Sequence, residues 1–154
     1  MDDMGMIIDL SHISPGAFFD VCEASSKPII ASHSNSYAVC AHPRNITDEQ
    51  FACIVNKKGM VGINFLPLFL NNTHRADVSD IVRHIEHFLS LGGTDNVGLG
   101  ADFDGITETP DDARDAGCYG VLYNELLRLN YSERLADKIF YKNYFDFMKL
   151  RLGH

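Results

Sequence analysis

No C-x-x-C pair, no run of basic residues and no long apolar stretch occurs in this chain of 154 residues. Each absence removes a class of function. The four cysteines, Cys22, Cys40, Cys53 and Cys118, stand at wide and irregular intervals. That spacing fits reduced thiols in a cytosolic protein better than a disulfide framework or a zinc knuckle. Lysine and arginine total 13 against 21 acidic residues, a formal net charge of -8, so nucleic acid is excluded as the main partner for want of a basic face. The opening residues MDDMGMIIDL lack the basic flank and apolar core of a secretory signal, and no later segment is long enough to form a membrane span. Low-complexity linkers and charge blocks are missing too, so residues 1–154 read as a single domain.

What is present is an alternation. Short β-branched runs (MIIDL, PIIAS, MVGINFL and NVGLGADF) are separated by helical patterns, the signature of parallel βα units in an α/β fold. Ser14-Pro15 pairs an N-cap with a proline at the first helical position, predicting a helix over about Pro15 to Ser25. Thr47-Asp48-Glu49-Gln50 is a capping box, and its helix should end near Gly59. Asp77 or Ser79 starts a helix whose Val78, Ile81, Ile85, Phe88 and Leu89 share one face. Beyond NVGLGADF the chain predicts two or three further helices, with Ser132 as an N-cap.

In parallel α/β proteins ligands gather where the strands end, because the loops converge there while the strand bodies are fixed in the core. Those ends carry His12, His33, Asn64 and Asp102. A single histidine at a strand end is ordinarily a hydrogen-bonded structural residue. Two at matching positions, followed by Asp102, make a zinc site the stronger reading, since zinc takes neutral imidazole nitrogen and carboxylate oxygen. Arg44, just after Pro43, is positioned to bring a guanidinium to the same rim and grip a carboxylate. Asn64 reads as a polar group satisfied by a neighbouring loop.

Other features are weaker. Gly98-Leu99-Gly100 lacks the third glycine of a dinucleotide loop and fits close strand packing. Asp102-Phe103-Asp104-Gly105 lacks the later ligands of a calcium loop. His84 and His87 are expected on a solvated helix face, and His42, His74 and His154 at the surface. Cys40 reads as a buried thiol.

At DLSHIS, ASHSNSYAVCAHPRN and GLGADFDG the sequence resembles the membrane dipeptidase (renal dipeptidase) family, peptidase family M19. The likeness runs from about Gly5 to Phe147, with the three motifs in the family's order. It implies the C-terminal half, strands five to eight, of a metal-dependent-hydrolase TIM barrel that cleaves dipeptides with two zinc ions. By the same resemblance His12 and His33 are ligands of one zinc, Arg44 binds the dipeptide's free carboxylate, and Asp102 exchanges protons with the attacking water and the leaving amine. The family's His-x-Asp ligand pair, bridging glutamate and oxyanion-binding histidine belong to the half preceding these motifs. On its own the chain is therefore expected to bind metal weakly and to catalyse poorly, and to need either a missing N-terminal half or self-association as a homo-oligomer. The alternatives are a non-catalytic half-barrel acting as an assembly module and, more remotely, a nucleotide-binding domain.

Overall fold

The computed structural model describes residues 1–153; His154 lies outside them. Three strands form a parallel sheet in the order β1 (Ile30–Ala31), β2 (Met60–Ile63) and β3 (Val97–Leu99). Helices α1 (Pro15–Ala24), α2 (Asp48–Asn56), α3 (Pro67–Asn71) and α4 (Val78–Ser90) alternate with them. After β3 a loop over residues 100–115 leads to helices: α5 (Tyr119–Arg128), α6 (Glu133–Asp137), a π-helical turn (Lys138–Lys142) and α7 (Asn143–Leu152).

The helix starts follow the capping chemistry. Ser14 accepts from the Ala17 N–H, and Thr47 and Gln50 close a reciprocal capping box. Asp77 and Asp80 close another at the head of α4. Each cap satisfies backbone donors that the first turn leaves free and stabilises its helix by about 1 kcal/mol. The short α3, which the strand-and-helix rhythm does not foretell, begins with Pro67 at its first position.

Alternation along the strands sorts side chains between two layers. Ile29, Ala31, Val61, Ile63 and Val97 join Phe18, Ile54, Ile81, Ile85 and Phe88 in the main core, against the helices. Ile30 and Met60 face the other way and meet Phe147 and Tyr144 of α7. On this second face Gly62 is obligatory: an added Cβ would be driven into the Ser32 carbonyl oxygen and the Tyr144 hydroxyl. Gly98 and Gly100 likewise have no room for a side chain, so these glycines serve close packing.

Several expectations are corrected. The strands are shorter than their apolar runs, and MIIDL is held by one parallel bridge, Asp9 to Ile30, beside β1. Its backbone still bonds to Ile30 on both sides, through Leu10 N–H to Ile30 O (2.7 Å) and Ile30 N–H to Ile8 O (3.0 Å). The cysteines are not all reduced: Cys22 of α1 is bonded to Cys53 of α2, which removes the ground for expecting a cytosolic chain. Wide sequence spacing failed to exclude the pair because both residues lie on helices that pack side by side. Cys40 and Cys118 are free and buried. Nor do His84 and His87 line a solvated face. His84 is wholly buried, and half-buried His87 reaches Asp48 of α2 at 2.7 Å. Among the described residues, no helix is long and apolar enough to cross a membrane.

Candidate metal centre at the strand ends

The two histidines meet. His12, exposed, and His33, partly buried, leave their segments at the same end of the sheet, and their Nε2 atoms lie 2.9 Å apart. The cause is the pairing of the chain before His12 with β1, which sets Asp9 opposite Ile30 and so places the two histidines, each three residues further on, side by side.

Arg44 reaches the same point from the loop after β1. One guanidinium nitrogen donates to the Ser11 carbonyl and the other lies 3.2 Å from His12 Nε2. Its Cζ lies 5.7 Å from the centre of the Phe69 ring, and His42 packs on that ring with centroids 4.6 Å apart. Burial lowers the Arg44 guanidinium from its ordinary value, opposed by the charges of Asp102 and Asp9.

Asp102 follows β3 in the left-handed region, φ 62°. That conformation is uncommon for a residue with a side chain. Asn64 holds it, donating from Nδ2 to Asp102 Oδ2 at 3.1 Å. Asn64 is itself locked: its N–H donates to Asn35 Oδ1 (2.9 Å), its carbonyl accepts from Asn35 Nδ2 (3.0 Å), and its Oδ1 accepts from the Leu66 N–H (2.7 Å). It thus joins the loop to Asp102 as well as satisfying the loop itself. Asp102 acts electrostatically on His33, whose imidazole is nevertheless pushed down by burial, the largest influence, so its neutral form is favoured.

Reading strand ends for metal donors passes over two residues that the structure brings to the centre of the rim, Asp9 and Ser32. Asp9 accepts from the N–H and hydroxyl of Ser11 and from the N–H and hydroxyl of Ser32. Burial opposes its ionisation, yet these donors hold the carboxyl below its ordinary value. The signal in the sequence is the serine immediately before each histidine, in DLSH and ASH.

The donor chemistry fits zinc. Two imidazole nitrogens on one tetrahedral zinc, each about 2.0–2.1 Å from it, would be about 3.3 Å apart, close to the observed 2.9 Å. Two donors are half of a tetrahedral shell, and among the described residues no group of three His, Cys, Asp or Glu side chains is arranged to hold an ion.

A parallel sheet backed by helices, with imidazoles, a guanidinium and a carboxylate collected where its strands end, defines an α/β chain with a polar site at the ends of its strands. The sequence model described as membrane dipeptidase (peptidase family M19) matches residues 1–150, and the chain belongs to that family. It is 39% identical over 148 residues to an uncharacterised protein from the pqqA 5' region of Klebsiella pneumoniae, covering 94% of this chain and 54% of that protein. Among solved structures it is similar to the M19 metallopeptidase dipeptidase AC, at TM-score 0.94 and 32% identity over 99% of this chain and 46% of that one. It is also similar to a metallopeptidase from Rhodobacter sphaeroides liganded with a phosphinate mimic of the dipeptide L-Ala-D-Ala, at TM-score 0.92 and 32% identity over 97% and 44% of the two chains. The chain thus spans about half the length of the relatives it matches.

Proposed function

We propose that this chain is the C-terminal half of a zinc-dependent dipeptidase barrel, with His12 and His33 as ligands of one zinc, Arg44 as the carboxylate-binding residue and Asp102 as the proton-exchanging group. The observation that carries the reading is the 2.9 Å approach of the two Nε2 atoms at a rim that Arg44 also reaches. Zinc bound there would supply Lewis acidity and lower the pKa of a coordinated water. The remaining steps belong to side chains of this chain. Arg44, a planar fork anchored on Ser11, would bind a carboxylate one residue beyond the scissile bond and so select dipeptides over longer peptides. Asp102, oriented by Asn64, would take a proton from the attacking water and deliver it to the departing amine. The dipeptide mimic bound by the Rhodobacter relative supports this substrate class.

The rest of the coordination shell would come from the N-terminal half of the barrel, and the same half, or a second copy, would cover the open edge beside Met6–Leu10. Zinc content by elemental analysis tests the reading. In the barrel completed by its N-terminal half, about one zinc held through this chain's histidines, with both that metal and dipeptide hydrolysis lost in His33→Ala, is the expected result. A completed barrel that takes up no zinc overturns it and leaves the half-barrel as an assembly module, the reading favoured by the exposed apolar side chains of Phe145, Met148 and Leu152 on α7 and of Tyr141 in the π-helical turn before it.

A further inference from the structure

We propose that Asp9 is a positioning residue which, through the Ser32 hydroxyl, sets the tautomer of His33 and keeps its Nε2 lone pair aimed at the metal position. The inference deepens the zinc reading above and rests on it for the word metal, but its proton count stands independently.

The count begins at the carboxylate, which when ionised only accepts. The Ser32 hydroxyl has a single hydrogen, and it is directed to Asp9 Oδ2. The Ser32 oxygen also lies 2.7 Å from His33 Nδ1. With its hydrogen committed, that oxygen can only accept, so Nδ1 must carry the imidazole proton. A neutral imidazole has one N–H, and Nε2 is left with its lone pair exposed to the rim.

The neighbouring serine repeats the arrangement. Ser11 Oγ donates to Asp9 Oδ1 at 2.9 Å and accepts from the His33 backbone N–H at 3.0 Å. One carboxylate therefore ties together both segments that end in a histidine. On the other side, His12 Nε2 faces Arg44, a group that can only donate, which makes His12 Nε2 an acceptor too. Two lone pairs converge over 2.9 Å, an arrangement that a cation between them relieves.

The same count shows what Asp9 prevents. If the Ser32 hydrogen turned to His33 Nδ1, the proton of His33 would move to Nε2 and point at His12. The pair would then close on itself by a hydrogen bond in the place a metal would take. Metal-binding histidines are commonly oriented through a hydrogen bond at the other ring nitrogen, and loss of such a partner weakens affinity by about 10–100-fold.

Long-range proton–nitrogen correlation spectra of the metal-free chain at about pH 8, where neutral imidazole dominates, read the tautomer directly, with His33 assigned by comparison with His33→Gln. The wild type should show the Nδ1–H form. In Asp9→Asn the side-chain amide donates to Ser32, the hydroxyl turns, and the Nε2–H form should grow. Should that variant fail to fold, Ser32→Ala decides, because it retains the bonds of Asp9 to Ser11 and to the Ser32 backbone: the preference should be lost there and restored in Ser32→Thr. A predominantly Nε2–H wild type, or an unaltered Nδ1–H preference in Ser32→Ala, overturns the proposal. Zinc titration of the same proteins should show the 10–100-fold weakening. A tautomer that responds as expected in a chain that binds no zinc sinks the metal reading and leaves the positioning role intact.

Discussion

His84 accepts the Ser36 N–H on Nδ1 at 3.0 Å and donates from Nε2 to the Leu70 carbonyl at 2.8 Å, entirely inside the core. The bonds fix a neutral imidazole that staples α4 to the loop after β1 and to the end of α3. Burial, only partly opposed by the Leu70 carbonyl, pushes its pKa down to about 4 from 6.5. Above 6.5 the residue is neutral in both folded and unfolded chains, and its contribution to stability is whole. Between 6.5 and 4 the unfolded chain takes up a proton that the folded chain refuses, so stability should fall with pH by up to roughly 3 kcal/mol and then level off. Denaturant titrations across that window, repeated on His84→Leu, check this. The variant should be less stable near neutrality, by about 1–3 kcal/mol for each backbone group left unpaired, yet show a flatter pH dependence. Equal slopes would count against the assignment.

The Cys22–Cys53 bond closes a loop of sequence separation 31 between α1 and α2. A cross-link of that span restricts the unfolded chain by about 3–4 kcal/mol on the loop-entropy account. Thiol counting in denaturant should find two reactive thiols without reductant and four with it, and reduction should lower the melting temperature. Four thiols in the unreduced protein would refute the pairing.

How far the chain could be read before its structure was known depended on the range of the forces involved. Ser14, Thr47, Asp77 and Ser132 are capping residues whose partners lie within three positions, so the helix starts were legible. The helix–strand rhythm was legible for the same reason. The strands were overextended because their ends are decided by side chains from elsewhere, such as Asn35, which takes both backbone groups of Asn64. His84 was misplaced because its neighbours on α4, Arg83 and His87, are polar, while its partners Ser36 and Leu70 are distant in sequence. The disulfide was missed because spacing says nothing about which helices pack together. At the rim, the histidines stood out by chemistry alone. The serine–carboxylate system behind them appears only once β1 brings Ser32 to Asp9.

Gly62 and Tyr144 make a sharper test of the sheet face that packs on α7. A methyl group at Gly62 meets the Ser32 backbone carbonyl, which cannot rotate away, and the Tyr144 hydroxyl, which can. Gly62→Ala should therefore cost more than about 2 kcal/mol, whereas Tyr144→Phe, giving up one 3.3 Å hydrogen bond to Ser32 O, should cost about 1 kcal/mol. Thermal melts of both and of the double variant distinguish the two contacts. If Tyr144→Phe restored the stability of Gly62→Ala, the backbone clash would not be the cause.

Arg44 separates recognition of charge from recognition of shape. Its guanidinium is held by the Ser11 carbonyl, faces His12 and lies beside Phe69, so the fork is oriented before any ligand arrives. Lysine keeps the positive charge but loses the planar pair of donors and the fixed orientation. If Arg44 binds the free carboxylate of a dipeptide, Arg44→Lys in the assembled enzyme should raise KM for such substrates by about 10–100-fold, the worth of a charge-assisted hydrogen bond of roughly 1.5–3 kcal/mol, with a smaller change in kcat. Dipeptides amidated at the C-terminus lack the charge, should be poor substrates of the unaltered enzyme, and should lose little more on substitution. Steady-state kinetics on matched acid and amide pairs measure the difference. Equal losses on both would mean that Arg44 supports the His12 loop rather than the substrate, because a residue acting through the scaffold cannot distinguish a carboxylate from an amide.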